Sequence, residues 1–358
     1  KYVAIDPDYK GHLTETTLAL LNKIISNEQV GIKRLWQNEH SAALNTVLWA
    51  AANRTPSVSS GDGEGFSRRA MIIKVSPREG EADLNLLEEA NITVAFTGDE
   101  ESTGKPLSIS RRELIAAAKN ADIALGFENS TGFDNATIAR RGASGWKVEV
   151  KGKRAHSSGV FNENVGAGAI FEMSRILNAF YEEVRGEEYL TFNPGTLLGG
   201  TFVEYDAKAS SGNTFGKTNV VAQSAVVHGG LRFISEEQKE KARAKMRTIV
   251  SQNLPQTSAS MSFTDSYPAM GPTEGNKALL SILNDVSLSL GHQGVTAYDP
   301  GKRGAADISF VADYVNGLDG LGTMGNGAHT PKETVNLKTM NALIQRTAIF
   351  IYRLINMD

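Results

Sequence analysis

Between residues 144 and 264 the apolar pattern changes period in a fixed order, and that order restricts the fold more than any single residue does. Trp146, Val148 and Val150 alternate with polar residues, as the buried side of a half-exposed strand does. The spacing then predicts an amphipathic helix from Asn164 to Val184 and strands near Tyr189 to Tyr205 and Asn219 to Phe233. Ser235 reads as an N-cap. Glu236 and Glu237 follow in the first turn, where the positive end of the helix dipole favours acids, so a second helix reaches about Val250. Ala259 to Phe263 supplies a last strand. The order β-α-β-β-α-β is ferredoxin-like and predicts an α+β domain over 144–264.

On both sides of that block the pattern is that of an α/β layer. Leu18, Leu20, Leu21, Ile24 and Ile25 form one face of a helix between Thr14 and Asn27. A Ser- and Gly-rich loop over 55–69 precedes the apolar run Ala70 to Val75. A helix from Glu81 to Ala90 leads into Ile92 to Thr97, whose β-branched composition suits an interior strand. Arg111 to Asn120 then reads as a helix, and Ala121 to Phe127 as another buried run. After the block, helices are expected at Lys277 to Leu290, Asp307 to Tyr314 and Leu337 to Asn356. Helix alternating with buried strand predicts a parallel-rich sheet, here an α/β domain of residues 1–143 plus 265–358 interrupted by the α+β insert of 144–264. Two domains suit 358 residues, since a single core stops growing near ~250–300 residues.

Composition removes several function classes. The chain has no cysteine, so thiol nucleophiles, disulfides and zinc ribbons are excluded, and a metal must be held by His, Asp and Glu. A net charge of −3 with no basic stripe gives no reason to expect nucleic acid, and the KGKR run at 151–154 is too short to make one. No apolar run approaches the ~18–20 residues that a membrane-spanning helix needs. No signal peptide is visible at Lys1; a start without Met is compatible with a removed leader, and the periplasm is the expected compartment ahead of the cytoplasm.

The acids are placed where a parallel sheet binds ligands. Asp99, Glu100 and Glu101 follow one buried run, and Glu128 ends the next, so both groups lie at carboxyl ends of predicted strands. Carboxylates gathered there would repel one another and raise each other's pKa unless cations were present. Glu100 and Glu101 are consecutive and can share a site only where the chain has turned into a loop, which leaves one free to hold metal and its neighbour to move a proton. His329 ends a glycine-rich loop, Gly325-Asn326-Gly327-Ala328, that could present it as a ligand. On these residues alone, helix-capping or solvated acids and a structural histidine remain open.

Five segments in order carry a more specific signal: Thr97-Gly98-Asp99-Glu100-Glu101; Gly126-Phe127-Glu128; Arg141-Gly142, opening the insert that contains Gly152-Lys153-Arg154-Ala155-His156-Ser157; Arg303-Gly304-Ala305-Ala306-Asp307; and Gly327-Ala328-His329. In this order they resemble the M20 family of metallopeptidases, its glutamate carboxypeptidases and acyl-amino-acid deacylases above all, over about three quarters of the chain, residues 92–358. The resemblance implies a hydrolase that uses two zinc ions per chain to cleave an amide next to a carboxylate in a small peptide or N-acyl amino acid. By the same resemblance Glu100 is the general base, Glu101 and His329 ligate one zinc, and Glu128 ligates the other. His156 matches a lid histidine that stabilises the developing oxyanion, often in the partner subunit's site, and Asn219 and Arg232 match groups that hold the substrate carboxylate. A homodimer through the insert is implied as well. His228, on the same predicted strand as Arg232, reads as structural.

The resemblance breaks in the first part of the chain. The family's His-x-Asp strand end and its Asp followed by Lys and Gly are both missing; His12-Leu13-Thr14 has threonine where the acid belongs, and His40 and Asp62 are the nearest substitutes. Three readings stay open: substitute ligands, a natural segment missing from this sequence, or a non-catalytic homologue serving as a carboxylate-binding or dimeric scaffold.

Overall fold

The computed structural model describes residues 29–32, 40–43, 70–73, 92–97, 104–328 and 330–356, the first three segments by backbone alone. The predicted helices at Thr14 to Asn27 and Glu81 to Ala90 lie outside the described residues, as do His12, Asp62, Asp99, Glu100, Glu101 and His329; His40 is described only as the first backbone position of a strand. In chain order the elements are β1 (Gln29–Ile32), β2 (His40–Ala43), β3 (Ala70–Ile73), α1 (Arg112–Ala118), β4 (Ile123–Gly126), β5 (Asn135–Ala136), β6 (Gly142–Gly152) and α2 (Ala169–Ala179). They continue with β7 (Thr191–Gly200), β8 (Phe202–Asp206), β9 (Ser211–Phe215), β10 (Ser224–Phe233), α3 (Glu236–Ser251), β11 (Thr257–Tyr267) and α4 (Glu274–Ser289). The last are β12 (Thr296–Ala297), β13 (Asn316–Leu318), β14 (Gly325–Asn326), β15 (Thr334–Val335) and α5 (Leu337–Ile355).

Strands β11, β6, β10 and β7 form one antiparallel sheet in that order, the ferredoxin-like arrangement expected from the sequence. Trp146, Val148 and Val150 of β6 are buried with Met173 and Ile176 of α2 and Met246 and Ile249 of α3, so the period-two and period-3.6 patterns close on a single core. Ser235 caps α3, its hydroxyl accepting from the Gln238 N–H at 3.1 Å. The α2 helix starts at Ala169 rather than near Asn164, because Gly166 and Gly168 have φ of 71° and 79°, outside the helical region. A strand was expected to run on through Tyr205; it ends at Gly200, and β8 and β9 form a separate hairpin that the sequence pattern did not reveal. This hairpin leans on the sheet: the Thr214 hydroxyl donates to the Gly199 carbonyl at 2.9 Å, and Tyr205 stacks on His228 with ring centroids 3.9 Å apart.

In the flanking unit β13 and β4 pair in parallel, as do β12 and β5, while β3 runs antiparallel to β4. Leu125 of β4 and Leu318 of β13 are buried with Leu279 and Leu283 of α4 and Phe350 and Leu354 of α5, which is the α/β layer read from the sequence. Two expectations need correction. Residues 92–97 are not in a strand, and Val94 and Phe96 are 41% and 52% exposed, so the β-branched composition that favours extended backbone does not here make the interior strand expected. The helix expected from Asp307 to Tyr314 is a short 3-10 turn, Asp307–Phe310, followed by turns.

Candidate functional site

The site begins where β4 ends. Leu321 N–H donates to the Gly126 carbonyl at 3.1 Å, Gly322 N–H to the Glu128 carbonyl at 2.9 Å, and Ser130 N–H to the Thr323 carbonyl at 3.0 Å. These bonds lace the Glu128 segment to residues 321–323, which lead directly into β14 and the glycine-rich turn before His329. A side chain at Gly322 would collide with the carbonyls of Phe127 and Glu128, so glycine is needed for the two segments to lie this close. Glu128 thereby shares an open cleft of about 800 Å³ with Asn326, Ala328, Tyr298, Arg303 and, from the four-stranded sheet, Arg232.

Arg232 reaches the cleft because of strand alternation. Its neighbours Leu231 and Phe233 are buried against the helices, which turns Arg232 to the uncovered side of the sheet. Burial and then the nearby Arg141 push its guanidinium below the usual arginine range. The Arg303 guanidinium is lowered as well, by burial first and then by Arg140, and its Nη2 donates to the Asn129 carbonyl at 2.8 Å. Arg140 differs, since its Nε meets Asp319 Oδ2 at 2.5 Å in a buried ion pair and its Nη1 donates to the Gly304 carbonyl at 3.0 Å.

Behind the cleft, Asp307 accepts from Arg111 Nε at 3.0 Å and from the Thr97 hydroxyl, with Asp307 and Arg111 only 2% and 1% exposed. The Arg303–Asp307 motif is therefore pinned to Thr97, the residue from which the Gly98-Asp99-Glu100-Glu101 segment departs, and to the start of α1.

His156 and Asn219 are brought together, but elsewhere. Ser157 N–H donates to the Asn219 carbonyl at 2.9 Å, and both residues are exposed. The register pairs Lys151 with Ser224 near them and Ala143 with Arg232 at the other end of β6 and β10. Eight residues of strand separate those pairs, roughly 26 Å, so one chain does not gather His156 and Asn219 with Arg232 and Glu128. The Ser158 N–H donates to His156 Nδ1 at 3.2 Å, which places the proton of the neutral ring on Nε2, free to act as a donor. His228 is stacked under Tyr205, and burial lowers its pKa, in keeping with a structural part.

Among the described residues no three His, Asp or Glu side chains cluster as a metal site would require; of the expected ligands only Glu128 is described. Glu128 lines the cleft and is the one member of the expected Glu and His donor set that is described there, which fits a single ligand of a metal site. Arg303 and Tyr298 were not singled out as site residues by sequence reasoning, although Arg303 opened one of the five motifs; its position on the cleft wall depends on the 3-10 turn and loop around Asp299–Arg303, which no periodicity reports.

A two-domain α/β protein, with a ferredoxin-like domain inserted beside a cleft at the carboxyl end of a parallel strand pair, is the class that this fold and site define. Residues 138–258 match the M20 peptidase dimerisation domain, which bears out the resemblance to M20 metallopeptidases. Solved structures agree in fold. The aminopeptidase PepT of Bacillus cereus superposes with a TM-score of 0.54 at 17% identity, over 73% of this chain and 63% of its own. The YXEP protein of Bacillus subtilis, described as a dinuclear metal-binding peptidase from the M20 family, gives 0.50 at 14% identity, over 74% and 65%. The chain thus spans less than two thirds of the length of either structure. No curated protein matches the sequence.

Proposed function

We propose that the protein hydrolyses an amide next to a carboxylate in a metal-dependent reaction, releasing a C-terminal amino acid such as glutamate or deacylating an N-acyl amino acid. The observation that carries this reading is the convergence of Glu128, the loop before His329 and Arg232 on one cleft. Arg232 holds the substrate carboxylate, for which a planar guanidinium offers paired hydrogen bonds. Glu128 would hold one zinc, and Glu101 with His329 would hold the other. Bound zinc supplies polarisation of the amide carbonyl and lowers the pKa of water toward ~7, within reach of a carboxylate base. Glu100 takes the proton from water and returns it to the leaving amine.

The working form is a homodimer. Strand β7 ends the four-stranded sheet, and Leu197 on it and Ile170 beside Gly199 stand 52% and 47% exposed, an apolar edge that a second copy would cover. In such a dimer the far end of the insert carries His156 and Asn219 toward the partner's cleft, where His156 Nε2–H donates to the oxyanion.

Turnover decides between this and a non-catalytic scaffold. After reconstitution with zinc, hydrolysis of an N-acyl glutamate supports the enzyme, whereas a folded, zinc-loaded protein that cleaves neither N-acyl amino acids nor dipeptides supports the scaffold.

A further inference from the structure

The loop that joins β4 to β5 carries Glu128 near its start, and its only strand-like pairing is a single bridge between Ser130 and Met324. Such a loop moves unless other groups hold it. On the cleft side Arg303 donates to the Asn129 carbonyl at 2.8 Å. At the far end Thr296 N–H donates to the Asp134 carbonyl at 2.9 Å. Between them Arg346 of α5, which does not line the cleft, donates to the Phe133 carbonyl and lays its guanidinium over the Phe133 ring, 4.3 Å from the centroid. His292, just past α4, meets the same ring edge-on with centroids 4.9 Å apart, so one loop residue is gripped from two helices' ends of the α/β layer.

Arg346 is a costly residue to place there. It is 1% exposed, its Nε is buried without a hydrogen-bond partner, and it pairs with no carboxylate among the described residues. Burial pushes its guanidinium down to about 10. One carbonyl and one ring face do not replace the water shell of a cation, and a well-packed apolar side chain of similar volume is often neutral or stabilising at such a position. Stability therefore does not account for this arginine. What it supplies is direction, because a planar fork stacked on a ring and bonded to its carbonyl fixes the loop in one conformation.

We infer that Arg346 is a positioning residue: by clamping Phe133 it holds the β4–β5 loop and so sets the direction of the Glu128 carboxylate. The inference rests on the proposed function only for the metal that Glu128 would hold.

The test is calorimetric titration of the metal-free protein with zinc, run beside thermal unfolding, for the unmodified protein and for Arg346→Met, which fills a similar volume without the charge. The variant is expected to melt at or above the temperature of its parent, yet to bind zinc about tenfold more weakly at one site, the loss usual for groups that orient a metal ligand. Arg346→Lys, which keeps a donor for the Phe133 carbonyl, should regain part of that affinity. Added to Glu128→Gln, Arg346→Met should cost no further affinity, since its effect passes through Glu128. Unchanged zinc affinity in Arg346→Met, an equal further loss in the Glu128→Gln protein, or a melting temperature well below that of the parent would overturn the inference and leave the metal-dependent reading standing. An unmodified protein that takes up no zinc would overturn both.

Discussion

The inserted domain and the cleft differ in where their information lies. The insert is built from a four-stranded sheet, two helices and the β8–β9 hairpin; its sheet pairs strands far apart in the chain, but the apolar face of each strand and helix is marked by its own local period and these faces meet in a continuous core. The cleft is assembled from segments far apart in sequence, with Glu128, Arg232, Arg303 and Asn326 all on one wall or another. Stability in the first case comes from burial of many small contributions, whereas function in the second depends on a few charged groups held by backbone hydrogen bonds and glycines. Substitutions should therefore separate: those in the insert's core change folding, and those in the cleft change chemistry.

The largest separation is expected for Glu100→Gln. Loss of the general base should lower kcat by at least about 10²-fold while zinc content and melting temperature stay near those of the unmodified protein, as read by steady-state kinetics, metal analysis and calorimetry. Opposite in kind, Trp146→Ala removes a large buried ring from the insert, where Trp146 meets Phe180 edge-on with centroids 5.7 Å apart. Denaturant unfolding should register a loss of roughly 3–5 kcal/mol, the usual range for truncating a buried aromatic. A result of under 1 kcal/mol would mean that the insert does not fold as one core.

The two regions meet in the dimer, and mixing tests that link. His156→Ala and Glu100→Gln homodimers should each be nearly inactive, yet co-refolded chains should regain activity of about one quarter, because half the dimers are mixed and each of those has one intact composite site. No recovery would place His156 in its own subunit's site, against the separation seen along β6 and β10.

Smaller effects probe the insert's surface. Ser235→Ala removes the cap of α3 and should cost about 1 kcal/mol, checked by the same unfolding curves. Burial raises the Asp265 pKa, but the Arg243 hydrogen bond and charge, helped by Lys239, more than offset this and hold its carboxyl below the usual aspartate range. A carboxyl lowered on folding stabilises the protein above its unfolded pKa and loses that contribution as pH falls through the folded value. The difference in stability between Asp265→Asn and the unmodified protein should then be present at pH 6 and shrink below about pH 4.

How much of this was legible in the sequence follows from the same contrast. The alternation of Trp146, Val148 and Val150 and the cap at Ser235 are local signals, and the ferredoxin-like order follows from them. Helix α2 was placed too early because apolar spacing is blind to the positive φ of Gly166 and Gly168. The β8–β9 hairpin is not legible in the sequence because β9, Ser-Gly-Asn-Thr-Phe, has no apolar alternation and is held by its ladder with β8 and by contact with β7. In the cleft, Glu128 and Arg232 were found through motifs at strand positions. Arg303 was visible only as part of a motif, since a loop side chain's direction is set by tertiary contacts such as Arg303 with the Asn129 carbonyl.

Zinc stoichiometry of the reconstituted protein, measured beside Glu128→Gln, addresses the cleft most directly. Two zinc ions per folded chain, falling to one in the variant, is the predicted result; a folded protein that takes up no zinc, or a variant that binds as much as its parent, would contradict Glu128 as a ligand and the cleft as a metal-dependent active site.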